Sequence, residues 1–466
     1  MPRSGADQRS LRLWHVWIVL PAAFATAIAV AVGAFFAGWD LLGAQSLKPE
    51  HQLTSSTLFE LVKLSLGVVA GAGALVALVV AYRRQRVDED GALREATRLH
   101  TERFTTSVSQ LGEESAAVRL GGVHALAGLA DDAPTRALRQ TCIDVLCAYL
   151  RLPYTAQDDL PTDDAAARHA YLALREVRHT VIRLLRDHLR LPAGHPHSWQ
   201  GHDLDFTNVV FDGGDFSRAM FSGGSVTFDG AEFSGGWVAF NHAVFSDGTV
   251  TFNHAVFSDG TVTFDNAEFC GGTVSFGDAE VSDGTVTFCD AKFSGGAVAF
   301  FGAGFLGGTV AFARSVFSGG TVTFVATRFF GGAVSFADTE FSGSRVSFAH
   351  AEFSGGTVSF DNAEFSGGRV SFDDAEVCDG MVSFFSARFS GGRVTFAQAL
   401  FRGGTVSFDD ADVSQGTVTF NHPGFSGGTV RFSDAHGAAP SGLVPPPGQA
   451  PPPGLSLPAA WLPNTP

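Results

Sequence analysis

Phe353-Ser-Gly-Gly-Thr-Val358-Ser-Phe360-Asp-Asn-Ala363-Glu364 is one 12-residue phrase, and the next begins at Phe365. Variants of it run from Phe221 to Phe432. A fixed period of this kind marks a solenoid, whose units bury their apolar sides only against their neighbours. Large residues fall at Phe353, Val358, Phe360 and Phe365, spaced five, two and five. Residues two apart on a strand share a face, so Val358 and Phe360 point the same way, as do Ala363 and Phe365. Each phrase therefore supplies two short strands, T-V-S-F and A-E-F. Asp-Asn and Ser-Gly-Gly have the residue types of turns.

The length of one coil follows from volume. A 12-residue coil would force two Phe, one Val and one Ala into a flat two-stranded tube. A 24-residue coil has four sides and eight inward side chains. The larger coil is expected, with position i stacked on i+24 and adjacent phrases on opposite sides of the rod. About ten coils spaced ~4.8 Å apart give a rod roughly 45–50 Å long.

At the entry to the array, Phe206, Phe211, Phe216 and Phe221 are spaced by fives, and Ala219-Met-Phe221 places a small residue two before a large one. This resembles the pentapeptide-repeat family, whose units follow A-(D/N)-(L/F)-x-x. The resemblance implies a right-handed quadrilateral β-helix with the large and small residues inside. The array departs from strict fives after Phe221. The fold class expected is mainly β, a solenoid of this type, preceded by an α-helical segment and a two-helix transmembrane hairpin.

Charge is unevenly placed. From Asp203 to Ala435 there are 27 acids and 10 bases, a net of −17, against −16 for the whole chain. The solenoid therefore carries essentially all the negative charge. An acidic body repels nucleic-acid backbones, so direct nucleic-acid binding is not expected. A solvated coat over a Phe core accounts for the acids. The A-E-F column holds Glu232, Glu268, Glu280, Glu340, Glu352, Glu364 and Glu376, interrupted by Lys292, Arg328 and Arg388. Such a column resembles the phosphate-imitating surface of the DNA-mimicking gyrase inhibitors of the same family. Thr249/Thr251, Thr261/Thr263, Thr285/Thr287, Thr321/Thr323 and Thr417/Thr419 form T-V-T pairs like those of ice-binding β-helices, but Trp237, Ala297, Arg345, Arg369, Met381 and Arg393 occupy the same columns. Threonine is in any case a good strand residue.

Two long apolar runs open the chain, from about 14 to 39 and from about 60 to 82. Each is long enough to span a bilayer, and the first exceeds the usual apolar core of a cleaved leader. Trp14, Trp17 and Trp39 suit the interfaces. Arg3, Arg9 and Arg12 precede the first run, and Arg83, Arg84 and Arg86 follow the second. The loop between has only Lys48. Both ends are therefore expected in the cytoplasm of a plasma membrane. Cys142, Cys147, Cys270, Cys289 and Cys378 form no C-x-x-C pair, so neither zinc nor a disulfide framework is expected. Three lysines against 28 arginines suggest a GC-rich bacterial genome.

Between 87 and 195 the apolar spacing turns helical, as in Val177-Arg-His-Thr-Val181-Ile182-Arg-Leu184-Leu185. Ala117 to Leu129 resembles a HEAT or armadillo-like helix, with Gly121 and Gly122 in place of the usual alanine, which suggests close helix packing. Arg175, Arg178, Arg183, Arg186 and Arg190 could make a phosphate- or lipid-binding face, and an ordinary solvated helix face is the expectation. His195, His197 and His202 lie in a Gly/Pro-punctuated linker with no cysteine or paired carboxylate to complete a metal site. Residues 436–466, with Pro-Pro-Pro-Gly-Gln-Ala-Pro-Pro-Pro, read as a disordered Pro-rich tail or a cap on the array.

The organisation expected is 1–86 as tail and membrane hairpin, 87–195 as a cytoplasmic helical domain, 203–435 as the solenoid and 436–466 as the tail. No nucleophile elbow, phosphate loop or zinc motif appears, so no catalytic, cofactor or metal residues are assigned. The function expected is a membrane-anchored, non-enzymatic interaction scaffold with a protein partner. The alternative is an acidic rod that binds a DNA-handling enzyme such as gyrase.

Overall fold

The computed structural model describes residues 55–155, 160–161, 164–447 and 449–462, with scattered positions between 21 and 40. Most of the first apolar run lies outside the described residues. The chain divides into two compact units, Met1–Leu99 and His100–Pro466.

In the first unit, the second apolar run belongs to α1, Ser55–Leu111, an unbroken helix of 57 residues. By length and composition it is able to cross a membrane. Leu58, Phe59, Leu64, Leu66, Val69 and Leu78 are all exposed on it. The helix does not stop at Arg86, where the charge pattern suggested a domain boundary.

In the second unit, α2 (Ala116–Asp131), α3 (Arg136–Leu150) and α4 (Ala165–Leu189) pack around Val123, Leu126, Ile143, Leu146, Val181 and Leu185. Thr135 caps α3 by accepting from the Leu138 amide, and Asp164 caps α4 by accepting from those of Ala166 and Ala167. A Cβ on Gly122 would stand 2.9 Å from the Ser107 carbonyl oxygen, so this glycine permits a close helix crossing. Gly121 faces open space and has no such role. Cys142 and Cys147 are buried in this core, and burial pushes the Cys142 thiol up to about 11. Cys270, on the solenoid, is exposed.

Beyond Leu204 the chain winds as a parallel solenoid of about ten turns. Each full coil has four sides, illustrated by the strands Glu340–Phe341, Arg345–Ser347, Glu352–Phe353 and Thr357–Ser359, here called the first to fourth faces. Each strand pairs with its equivalent two phrases further on, as Phe341 with Phe365 and Val358 with Val382. The first coil is shorter: Leu204 pairs with Val226 and Val210 with Glu232, a step of 22. There the Phe spacing of fives still holds, and each later coil gains two residues where a T-V-S strand replaces a shorter side.

Phe360 shows how the core is built. It stacks on Phe336 and Phe384 with ring centroids 4.8 Å apart. It also meets Phe348 and Phe372 edge to face at 5.6 Å. The stacking partners are the expected ones, a full coil away in each direction. The edge contacts to the neighbouring phrases were not expected; the tube is narrow enough for opposite Phe columns to interlock across it. Edge-to-face pairs add to simple area burial. Where Ser315, Thr327 and Thr339 replace the inward alanine, their hydroxyls donate to the carbonyls of Phe288, Phe300 and Phe312.

Corners explain the turn residues. The second residue after the Phe that closes each T-V-S-F strand is left-handed, as at Asp338 (φ 57°), His350 (φ 55°) and Asn362 (φ 56°). Asn, Asp and His tolerate this conformation best among residues with a side chain. At the other corner Gly356 has φ +63°, and a Cβ there would lie 2.5 Å from the Gly332 carbonyl oxygen. The repeated Gly-Gly pairs are turns beneath a tightly stacked neighbour.

The Pro-rich end is ordered over its described residues, contrary to the expectation of disorder. Leu455–Ser456 pairs with Val430–Arg431 on the fourth face. The Trp461 indole donates to the Gly437 carbonyl and meets Phe432 edge to face at 5.4 Å. The tail covers the last rung of the Phe column, the capping role named above.

Candidate functional site

The outward positions decide what the rod presents. A 24-residue coil divides each sequence column between two faces. Glu268, Glu340 and Glu364 lie on the first face and Glu232, Glu280, Glu352 and Glu376 on the third. Glu340–Glu364 and Glu352–Glu376 are the longest acidic runs, two rungs each. Lys292, Arg328 and Arg388 interrupt them in register. No continuous carboxylate stripe forms on either face. The threonines also divide: Thr249 and Thr321 lie on the second face, Thr261 and Thr285 on the fourth. Asn241-His242 and Asn253-His254, one phrase apart, occupy different corner columns, since the His242 amide donates to the Asp265 carbonyl and the His254 amide to that of Gly277.

The same division creates a feature invisible in the 12-residue pattern. Arg345, Arg369 and Arg393 stand directly above one another on the second face. None of the three makes an ion pair among the described residues. Like charges in register on neighbouring strands are unfavourable. The ladder is thus a basic strip on an acidic rod, suited to a partner that brings carboxylates or phosphates. Their spacing is readable in the sequence once the coil length is fixed.

A second concentration of charge joins α4 to the first coil. Asp212 is buried and accepts from the hydroxyls of Tyr154 and Tyr171, each at 2.6 Å. Arg175 Nε lies 3.1 Å away and His179 Nε2 3.3 Å away. Burial alone would raise this carboxyl, but the hydrogen bonds from His179, Tyr154 and Tyr171 outweigh it and hold it well below the usual carboxylate range. The same environment pushes the Tyr171 hydroxyl up to about 12, through burial and then the Asp212 carboxylate. Arg178 is buried over the Tyr154 ring, 4.1 Å from its centroid, and donates to the carbonyls of Leu150 and Val210. Arg186 pairs with Asp215, and Arg190 Nε donates to the Ser217 carbonyl.

The arginines of α4 are therefore not the solvated face expected of them. Arg175, Arg178, Arg186 and Arg190 share one helical face and clamp the solenoid entry. Arg183 instead donates to Thr180 Oγ1. The acids that receive the clamp, Asp212 and Asp215, are far in sequence from the helix, and no local pattern links them. An open groove of about 470 Å³ lies beside the clamp, lined by Arg175, His179, Arg183, Arg186, Asp215 and Trp237. Its cations are largely consumed by its own acids, and no nucleophile lies against a base.

The histidine loop is structural. His188 stacks on Trp199 at 4.0 Å, and Asp131 receives both the Trp199 indole at 3.2 Å and His188 Nε2 at 3.1 Å. His195 and His197 meet edge to face. His202 is buried apart from them, with Nδ1 donating to Gln140 Oε1 at 2.9 Å. Burial, then Arg136 and Arg139, lower its pKa to about 4. The fold therefore holds His202 neutral, while the unfolded chain takes up a proton near the ordinary value of about 6.5. This contribution is complete above about pH 6.5 and is lost as pH falls towards 4, on the order of 3 kcal/mol in all. Unfolding midpoints measured from pH 7.5 to 4 should show this loss, and His202→Gln should flatten it.

Comparison with protein-family models, with curated proteins and with solved structures finds no match.

Proposed function

We propose that this chain is a membrane-tethered, non-enzymatic interaction scaffold of pentapeptide-repeat type, with the solenoid wound right-handed and held in the cytoplasm. The observation that carries this reading is the contrast between a uniform Phe interior and a mosaic exterior. Neighbouring rungs of the third face carry Val256, Glu280, Gly304, Arg328 and Glu352 in one column, as binding surfaces do and as a phosphate-imitating stripe does not. The exposed apolar side chains of α1 and the arginines after Tyr82 support the tether. The protein partner is expected on the arginine ladder, and carboxylates or phosphoryl groups on that partner would recognise it.

Two measurements test this. Reporter fusions at residues 50 and 200 should report opposite sides of the membrane, with 200 cytoplasmic; an external solenoid removes the cytoplasmic assignment. Proximity labelling from the C-terminal end should give a small set of partners that is lost on Arg345→Glu/Arg369→Glu/Arg393→Glu, with membrane association unchanged. The solenoid's net −17 favours the acidic DNA-mimic reading instead. Inhibition of gyrase supercoiling by the purified chain would support that reading and sink the scaffold.

A further inference from the structure

The 27 acids of the solenoid leave a gap. None occurs between Asp290 and Asp338, a span of two coils. Both edges of the third face are apolar in this belt. Phe301 stands on one edge at 55% exposure, and Leu306 and Phe330 stand on the opposite edge at 38% and 51%. Leu306 and Phe330 occupy one corner column, because the Leu306 amide donates to the Val281 carbonyl and the Phe330 amide, one rung on, to that of Phe305. Ser258, Ser282 and Ser354 hold that column in neighbouring coils. Between the edges lie Gly304 and Arg328. Arg328 makes no ion pair among the described residues, and Glu352 is its register neighbour on the next rung.

We propose that the third face is a homodimer interface. Two copies pack face to face and antiparallel, about a two-fold axis that crosses the face between the rungs of Arg328 and Glu352. Two rods of net −17 repel each other along most of their length, and the acid-free belt is where they are able to touch. Charge on the face fixes the register. In rung order its outward residues are Glu232, Val256, Glu280, Gly304, Arg328, Glu352, Glu376, Leu400 and Gly424. With the axis between Arg328 and Glu352, each Arg328 meets the other copy's Glu352. Gly304 then meets Glu376, Glu280 meets Leu400, and no acid faces an acid. Moving the axis to any other position from Glu280 to Glu376 opposes two glutamates. The arrangement brings the Leu306–Phe330 edges of both copies to the same side, where they form one continuous apolar strip. This is the self-complementarity an isologous contact requires. It is independent of what the rod binds elsewhere.

The mass of the full chain in detergent, corrected for bound detergent and measured by light scattering, tests this. The wild type should have the mass of two chains. Phe330→Asp, Arg328→Glu and Glu352→Arg should each have the mass of one, with the dissociation constant raised roughly tenfold or more. All three positions face outward, so each variant should keep its β circular dichroism; should Phe330→Asp lose it, the two charge variants carry the test. Mixing Arg328→Glu with Glu352→Arg should restore a heterodimer, because the first then presents two glutamates to two arginines. Pairing within one chain gives no such rescue. A monomeric wild type overturns the proposal. So does a dimer that survives all three substitutions, which would place the contact in the membrane helices, and so does the absence of rescue on mixing.

Discussion

Phe360→Asp will unfold the coils on both sides of residue 360, while Thr357→Asp on the adjoining strand will leave them standing. Phe360 is fully buried between two stacked rings and two edge-on rings. Removing the ring alone costs about 3–5 kcal/mol. A carboxylate in its place has no donor within a column of Phe, so the total should be on the order of 5 kcal/mol or more. Thr357 faces out beside Val358, and its replacement should stay within about 0.5 kcal/mol. Because coils are stabilised by their neighbours, hydrogen exchange should show lost protection centred on the coils from Phe336 to Phe384 and fading towards both ends. Equal denaturation midpoints for the two variants would mean that the assignment of inward and outward positions is wrong.

Asp212→Ala should cost about 3–5 kcal/mol, the range for removing one partner from a buried ionic cluster. It strands two tyrosine hydroxyls and the Arg175 guanidinium at the clamp. Asp212→Asn keeps an acceptor for the tyrosines and should recover part of the loss. The damage should appear as exchange in α4 and in the stretch from Asp203 to Phe216, with the distal coils still protected. The wild-type cluster carries its own pH signature. The folded carboxyl sits below its unfolded value, so its stabilisation is present above about pH 4 and disappears as pH falls further. That window lies below the one assigned to His202. If Asp212→Ala melts like the wild type at neutral pH, the clamp does not stabilise the joint.

The solenoid was legible because its rules are local and repeat. Volume alone selected the larger coil, since two Phe, one Val and one Ala per turn overfill a flat two-stranded tube. Turn chemistry marked the corners, and the left-handed Asn, Asp and His residues sit at the corner that Asp-Asn marked. Other features depend on distance in three dimensions. The meeting of Phe360 with Phe348 across the tube needs the width of the tube, which spacing does not contain. The clamp pairs arginines of α4 with acids that follow only beyond the histidine loop, and each half alone resembles a solvated surface. The Pro-rich end resembles a linker by composition, but Leu455, Trp461 and Leu443 supply enough apolar surface to cover the last rung. The arginine ladder and the acid-free belt were in the sequence throughout, but they emerge only when it is written one coil to the line.

Two phrases make one full circuit, so insertion or loss of repeat units has two different geometric outcomes. Adding a pair of phrases lengthens the rod by one rung and leaves every later side chain at the same compass bearing. Adding a single phrase preserves the interior, because Phe, Val and Ala fall again on inward positions, but it turns everything downstream half-way round. A change made by simple duplication of one phrase would thus move the arginine ladder to the opposite side of the shaft without altering a single residue in it.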